Sequence, residues 1–332
     1  MASVAPAPST QTSPVTEAAN KLAEATNSDI FFYNSEIYRP FDDELVCACT
    51  GRRRRTNALL LLVTEGGDPD AAYRIARCFQ MHYEKFVCIV AGYCKSAGTM
   101  IVTGAHELVM ADNGEIGPLD IQLAKKDELW DTQSGLTIMS ALGTLHEKAF
   151  SSFEYASLEI TKRSQGRVTF KTAADVAVKF ATGLFAPIYA QIDPMHVGEA
   201  NRAQAIAHDY GLRLSYFGKN ISAESLEGLI SDYPAHGFVI DREEADGLFN
   251  NVREPSEAEK HLILLLGKTA TVPRAKGEGI RRFLSHEKGE ENVAGNASKT
   301  PSGGPEQHGT STAETREEPQ PEDIAKRSAA AS

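Results

Sequence analysis

The sequence predicts an α/β protein built around a parallel β-sheet. Two strand-turn-helix units are matched along the chain. In the first, Leu59–Val63 runs into Thr64-Glu65-Gly66-Gly67-Asp68-Pro69 and then an amphipathic stretch. In the second, Val87–Ala91 runs into Gly92-Tyr93-Cys94-Lys95-Ser96-Ala97-Gly98-Thr99 and then an apolar stretch. The run from Ala58 to Val63 is apolar throughout, the pattern of a strand covered on both faces. Residues 58–111 therefore alternate strand, helix, strand, helix, strand, an order that builds a right-handed parallel layer.

Each element has its own signal. Ile30-Phe31-Phe32-Tyr33 reads as a first strand and Ala58 to Thr64 as the next. Asp68 is placed to cap a helix with Pro69 at its first position, where a missing N–H costs nothing. Ala71, Ala72, Ile75, Cys78, Phe79 and His82 follow helical spacing and give that helix one buried face. Phe86 to Ala91 is a buried strand, Ala97 to Ala105 a short apolar helix, and Glu107 to Ala111 a further strand before the turn Asp112-Asn113-Gly114. Helices are expected from Leu136 to about Ser164, from Ala173 to about Ile192 with a break or kink at Pro187, and from Val197 to Tyr210. They read as a lateral arm or an oligomer face. A short helix over Ser222–Ile230, a short strand over Phe238-Val239-Ile240, a short helix over Arg242–Gly247 and an amphipathic helix over Ser256–Gly267 complete the pattern.

The domain so outlined spans 28–270 of 332 residues, long enough to bury a sizeable core. Residues 1–27 are rich in Ala, Pro, Ser and Thr and read as a disordered segment with room for one short helix near Val15–Ala25. Residues 271–332 read as a mostly disordered acidic tail, with almost no large apolar side chains from Lys288 onward. The formal net charge of −11 argues against nucleic acid as a partner. The basic run Arg52-Arg53-Arg54-Arg55 reads as a solvated loop between strands, with docking of an acidic partner as the alternative. Five cysteines show no CxxC pair and no zinc-like Cys/His spacing, so no metal is expected. Cys78, Cys88 and Cys94 fall in elements that read as buried, which points to reduced thiols and a cytoplasmic protein. No signal peptide is legible, and the longest apolar stretch is too short for direct membrane insertion.

The two turns carry the chemistry. A Gly-Gly pair after a strand offers bare backbone N–H groups, and a serine stands at the mouth of a helix. An oxyanion-binding loop beside a nucleophile is what acyl transfer requires. Each residue also has a plainer reading: Ser96 as a helix N-cap, Gly66-Gly67 as a tight turn, Asp120 as a residue of the turn after Gly117-Pro118, His236 as a loop histidine before a short strand.

The order of these motifs resembles the Clp-protease/crotonase superfamily, and within it the serine dehydrogenase proteinases, which are related to signal peptide peptidase A. The residues that carry the resemblance are Glu65-Gly66-Gly67, Lys95-Ser96-Ala97, Gly117-Pro118-Leu119-Asp120 and His236-Gly237, and it covers about residues 28–252. It implies a Clp/crotonase-like spiral of ββα units with a parallel sheet core and a helical arm. In the Clp proteolytic subunit the triad runs serine, histidine, aspartate. By spacing its histidine falls at about Asp120 here and its aspartate close to His236. The serine dehydrogenase proteinases resemble a reordered version, which gives Ser96 as nucleophile, His236 as base and Asp120 as the residue orienting it. The backbone N–H groups of Gly67 and Ala97 would bind the oxyanion.

Asp232 rivals Asp120, because it is near His236 in sequence and its distance from Phe238 resembles that of the Clp aspartate. Lys95 adjoins the serine, but adjacent side chains point apart. A lysine recruited from elsewhere, as in the signal peptide peptidases, would be Lys125, Lys126 or Lys148. His82, His146, His196, His208 and His261 read as surface or packing residues. Glu65 departs from the proline usual before the Gly-Gly pair, which puts a charge near the expected groove. The resemblance thus implies a serine-type peptidase that acts on peptide or protein substrates through an acyl-enzyme, without a cofactor, as a homo-oligomer. A Ser-Lys peptidase, an acyl-CoA enzyme of the same fold and a non-catalytic oligomeric scaffold are the alternatives. An acyl-CoA enzyme needs no serine at the turn, and no GxGxxG follows a strand to suggest a dehydrogenase.

Overall fold

A computed structural model describes residues 13–119, 122–124, 132–275 and 277–285. Along the chain run α1 (Pro14–Thr26), β1 (Ser28–Asn34), α2 (Phe41–Gly51), β2 (Asn57–Val63), α3 (Pro69–His82), β3 (Lys85–Val90), β4 (Tyr93–Cys94), α4 (Ala97–Thr103), β5 (Glu107–Met110) and β6 (Glu115–Ile116). Then follow β7 (Gln122–Ala124), β8 (Thr132–Ser134), α5 (Gly135–Arg163), α6 (Phe170–Tyr189), α7 (Pro194–Gly218), α8 (Ala223–Ser231), α9 (Arg242–Leu248), β9 (Val252–Arg253), α10 (Glu257–Leu266) and β10 (Ile280–Phe283).

The main sheet has the order β10-β1-β2-β3-β5-β9. Every neighbouring pair in it is parallel except β1 with β10. The expected α/β class with a parallel core is therefore what the chain forms. Period-two alternation divides the strand side chains between two faces. Phe31, Tyr33, Leu60, Leu62, Phe86, Cys88, Leu108 and Met110 pack into one buried cluster with residues of α2, α3, α4, α7 and α8. Ile30, Phe32, Leu59, Leu61, Val63, Val87, Ile89 and Val109 pack into the other with α1 and α10. This is why β2 reads as an unbroken apolar run: neither face meets water.

Two boundaries differ from expectation. Residues 14–26, read as part of a disordered segment with room for a short helix near Val15–Ala25, form the helix α1, and Ala18, Ala19, Leu22 and Ala23 are buried against the domain. Small alanines give a helix a flat apolar stripe that can lie close to a sheet, so few large side chains are needed. Residues beyond 270, expected in a tail, contribute β10, which lies antiparallel on the edge strand β1. Arg281 of β10 stacks over the Phe41 ring and pairs with Glu44 at 2.9 Å, so a polar-looking segment is held by its arginines. The third difference is at 238–240, expected as a strand. The segment makes a single antiparallel bridge, Ile116 with Ile240.

Local caps follow the sequence. Asp68 accepts from the Asp70 N–H at the head of α3. Ser256 and Glu259 form a reciprocal capping box on α10. The basic run 52–55 links a helix to a strand rather than two strands. The Arg54 and Arg55 N–H groups donate to the buried Asp29 carboxylate at 2.9 and 3.3 Å, and Tyr83 Oη donates to it at 3.0 Å. A buried carboxylate is tolerable only with such partners.

The arm is built by α5, α6 and α7. Pro187 lies within α6, and the chain bends by 77° between α6 and α7, after the proline rather than at it. Among the described residues of α6, burial falls on Ala173, Ala177 and Ala181. Phe170, Val176, Val178, Phe180, Leu184 and Ile188 are exposed. No single described helix is long and apolar enough to cross a membrane, while the bent pair α6–α7 passes by length and composition together.

Candidate active site

The site is built at the C-terminal ends of β2 and β3. Thr64 closes β2, and its Oγ1 accepts from the Gly66 N–H at 3.0 Å. That bond turns the chain sharply, and Gly66 and Gly67 take φ of 110° and 138°. These values lie where a side chain is strained. A Cβ on Gly66 would stand 2.8 Å from the Ser96 Cβ, and one on Gly67 2.0 Å from the Ile37 carbonyl oxygen. The turn is clamped by Ile37, whose N–H donates to Gly66 O at 2.8 Å and whose carbonyl accepts from Asp68 N at 2.7 Å. In such a parallel bridge the residue between those two partners, Gly67, directs its own N–H to the opposite side.

The second turn begins where β4 pairs with the end of β2. Thr64 N donates to Tyr93 O, and Lys95 N donates to Thr64 O, each at 3.0 Å. Ser96 follows with φ 52° and ψ −114°, a conformation rare for a residue with a side chain. It occupies the cap position of α4, yet its side chain makes no capping hydrogen bond. The plain N-cap reading of Ser96 therefore does not describe this geometry. Ser96 is half-buried, while Glu65 and Gly67 beside it are exposed. Among the described residues, no hydrogen bond takes the N–H of Gly67 or of Ala97. Ala97 N lies 3.3 Å from a Cβ built on Gly66, so the Gly-Gly turn and the head of α4 lie against each other next to the serine. The arrangement suits an oxygen that gains negative charge.

Lys95 fastens the loop that carries His236 to the neighbourhood of the Ser96 turn. The Lys95 side chain is buried, and its Nζ donates to Ile116 O at 3.1 Å and Phe238 O at 3.0 Å. It also pairs with Glu115 at 3.3 Å. Thr99 Oγ1 donates to Gly117 O at 2.8 Å. A Cβ on Gly117 would lie 2.7 Å from Lys95 Cδ and 3.4 Å from the His236 carbonyl oxygen. The loop carrying half-buried His236 is thus fastened to the Gly117 turn and to the residue preceding Ser96. Lys95 is consumed by this work, in line with the expectation that it does not serve the serine directly.

The remaining expected residues fall as follows. Asp120, like Lys125 and Lys126, lies outside the described residues. The chain leading to it is placed by Leu119, which is buried and donates its N–H to Leu229 O at 2.8 Å. Asp232 caps the C-terminus of α8, is exposed, and accepts from Ser231 Oγ at 2.8 Å. Lys148 is an exposed residue of α5, out on the arm. An acidic cleft bounded by Asp112, Asp241, Asp246 and Glu254 includes none of the expected site residues. Among the described residues no cluster of His, Cys, Asp and Glu could hold a metal ion. Sequence reasoning did not single out Thr64, Ile37 or Thr99, which shape the turns. Thr64 had a legible signal, a hydroxyl ending an apolar strand two residues before a Gly-Gly pair. Ile37 had none, because its role is made by its backbone.

No family model matches the chain. It is 36% identical over 66 residues to an uncharacterized protein of Methanocaldococcus jannaschii, a match covering 20% of this chain and 23% of that protein. The chain thus spans under a quarter of the length of the curated relative it matches. Among solved structures it is similar to a serine-to-alanine variant of the 1510-N membrane-bound stomatin-specific protease. That match has a TM-score of 0.29 and 16% identity, over 69% of this chain and 97% of that one. It is also similar to a lysine-to-alanine variant of the same protease in complex with a substrate peptide. There the TM-score is 0.30 and the identity 17%, over 73% and 97% of the two chains.

Proposed function

We propose that this chain is a serine hydrolase, and within that class a peptidase of the serine dehydrogenase proteinase type, acting through an acyl-enzyme on Ser96. The observation that carries the reading is the Ser96 turn itself. Its backbone is held in a costly conformation at the head of α4, its side chain does not cap that helix, and the adjoining N–H groups of Gly67 and Ala97 are taken by no hydrogen bond among the described residues. Strained residues persist where the surroundings over-determine them, and they concentrate at reacting centres.

In this mechanism His236 accepts the Ser96 proton as the hydroxyl attacks a carbonyl carbon. Asp120 orients the imidazole and stabilises its charged form. The Gly67 and Ala97 N–H groups hold the oxyanion, and His236 then returns the proton to the leaving amine. Water repeats the sequence to release the acyl group. No cofactor is needed. The Ser231 contact of Asp232 and the position of Lys148 on the arm give neither of these alternatives comparable support. The exposed apolar side chains of α6 support a homo-oligomer, since contiguous apolar surface of this kind is usually covered in solution. Burial of four of the five cysteines as free thiols is compatible with a reducing, cytoplasmic setting.

The test is labelling by a fluorophosphonate, which reacts with activated serines. Wild type is expected to label, and Ser96→Ala and His236→Ala to lose labelling, with peptide hydrolysis falling about 10^4- to 10^6-fold. Loss in Ser96→Ala alone would move the base to a lysine, with Lys148→Ala as the next variant. Absence of labelling in a folded wild-type protein would sink the hydrolase reading and favour a scaffold.

A further inference from the structure

We propose that Glu65 sets the substrate class of the Ser96 site, selecting substrates that carry a cationic group, an ammonium or a guanidinium, beside the bond to be cleaved. The inference rests on the hydrolase reading and deepens it. Glu65 stands between Thr64 and the Gly-Gly turn. A Cβ on the next residue, Gly66, would lie 2.8 Å from the Ser96 Cβ and 3.0 Å from the Lys95 carbonyl oxygen. An acyl group delivered to Ser96 therefore has to lie close to the backbone that carries Glu65. Glu65 and Gly67 are exposed there, while Thr64 and Gly66 are buried.

The register of the short strands decides which way Glu65 faces. Thr64 bridges Cys94 in parallel, and β4 pairs with β6 as Tyr93 with Glu115 and Cys94 with Ile116. Thr64, Cys94 and Ile116 thus form one row, and all three are buried. Side chains alternate along extended chain, so Glu65, Tyr93, Lys95 and Glu115 in the flanking rows turn to the opposite face. Two carboxylates and one ammonium share that face, and the ammonium is already committed. Lys95 Nζ has three hydrogens, and its partners are Ile116 O at 3.1 Å, Phe238 O at 3.0 Å and Glu115 at 3.3 Å. Glu115 is neutralised by that pair. Among the described residues, no ion pair or hydrogen bond holds the Glu65 carboxylate. The face is left with one unbalanced negative charge beside the proposed nucleophile. Tyr93 feels both carboxylates: burial first, then Glu65 and Glu115, raise its phenol above the ordinary range.

An exposed carboxylate is well solvated until a substrate covers it. Covering it with an apolar or acidic group removes that solvation and gives nothing back. A cation replaces the lost water with a charge-assisted hydrogen bond. Selection is the difference between the two outcomes. A hydrogen bond to a charged group is strong enough to separate a lysine peptide from its glutamine counterpart by about 10-fold in kcat/KM.

The experiment gives the full chain peptides that are identical except for Lys, Gln or Glu at one position stepped along the sequence. One arm uses N-acetylated, C-amidated peptides and the other leaves the N-terminus free. Fluorophosphonate labelling of the same samples reports on Ser96 separately. Wild type is expected to label and to cleave the Lys peptide about 10-fold better than the Gln peptide when that residue adjoins the bond, with the Glu peptide slowest. The readout is a ratio within one protein, so a general change in activity cancels. Glu65→Gln is expected to equalise the Lys and Gln peptides, and Glu65→Lys to favour the Glu peptide. Glu257→Gln removes the same charge from an exposed position on α10 and should keep the wild-type ratio. That control separates a local carboxylate from the net charge of −11. A preference that survives acetylation supports the proposal with a side chain as the cation, and one confined to the free N-terminus supports it with the terminal amine. Labelling of Ser96 with equal rates for Lys and Gln peptides in both arms would overturn the inference and leave the hydrolase standing. An unchanged ratio in Glu65→Gln, or a ratio that Glu257→Gln lowers as far, would overturn it too. Absence of labelling in folded wild type would remove both.

Discussion

The two turns that meet at the site solve one geometric demand in opposite ways. Both require backbone with positive φ. The turn after β2 fills those positions with Gly66 and Gly67, at 110° and 138°. The turn before α4 fills its position with Ser96, at 52°. Glycine adopts such angles without steric cost, whereas a residue with a Cβ gives up about 1–3 kcal/mol. The helices that follow differ in the same sense. Asp68 caps α3 with its side chain, and Ser96 does not cap α4. One turn is relaxed, and its aspartate side chain is spent on capping the next helix. The other accepts strain and leaves its hydroxyl unspent on its helix. A serine where glycine would fit better is what the proposed nucleophile requires.

Adding a methyl group at the relaxed turn should give the largest effect. Gly67→Ala places a Cβ 2.0 Å from the Ile37 carbonyl oxygen, which belongs to backbone and cannot swing aside. The expected loss is roughly 2–4 kcal/mol of stability by chemical denaturation. Hydrolysis should fall about 10^2- to 10^3-fold as one oxyanion donor shifts. A Gly67→Ala protein with wild-type turnover would remove that N–H from the mechanism.

The link between the turns is the next target. Lys95→Met removes the donor to Ile116 O and Phe238 O while keeping the length of the side chain. Phe238 O loses this donor, Ile116 O keeps only the Ile240 N–H at 3.1 Å, and Glu115 loses its ion pair. The expected cost is roughly 1–3 kcal/mol, from the lost lysine hydrogen bonds and ion pair. Turnover should fall with it as the His236 loop loosens. An unchanged melting temperature would mean that the loop is held by something other than Lys95. At the relaxed turn the corresponding change, Asp68→Ala, is expected to cost only about 1 kcal/mol, the ordinary value of a cap. It should leave turnover nearly unchanged, and a large loss of turnover there would blur the distinction between the turns.

The same contrast explains what could be read in advance. The strands at 57–63 and 85–90 were legible because each is buried on both faces and shows it as an apolar run. The Asp68-Pro69 start of α3 was legible because capping is local chemistry. β9 and β10 were not, since two to four residues with arginines at the edge carry no period. The helix of α1 was legible from its helix-forming residues near Val15–Ala25, but its docking on the sheet was not, because its buried face is mostly alanine. Within the site, the Gly-Gly pair announced its own backbone, but Ser96 did not. A serine before an apolar helix reads as a cap, and residue identity does not encode the sign of φ. The clamp from Ile37 and the Lys95 bonds to carbonyls distant in sequence were equally silent, because backbone acceptors leave no mark on residue type.

The finest test reverses the substitution at the strained turn. Ser96→Ala and Ser96→Gly both remove the hydroxyl, so both should be inactive. They differ in whether the backbone strain remains. Alanine keeps a Cβ at φ 52°, and glycine does not. Against this, glycine adds freedom to the unfolded chain, at a cost of about 0.4–1 kcal/mol. If the strain is worth about 1–3 kcal/mol, the balance favours glycine, and Ser96→Gly should exceed Ser96→Ala in stability by about 1 kcal/mol. At position 67 the same exchange runs the other way, because glycine there is already native. Opposite signs at the two positions would establish that the fold forgoes stability at Ser96 alone. A less stable Ser96→Gly would mean that the turn accommodates a side chain without strain, and the argument from geometry to an activated serine would lose its main support.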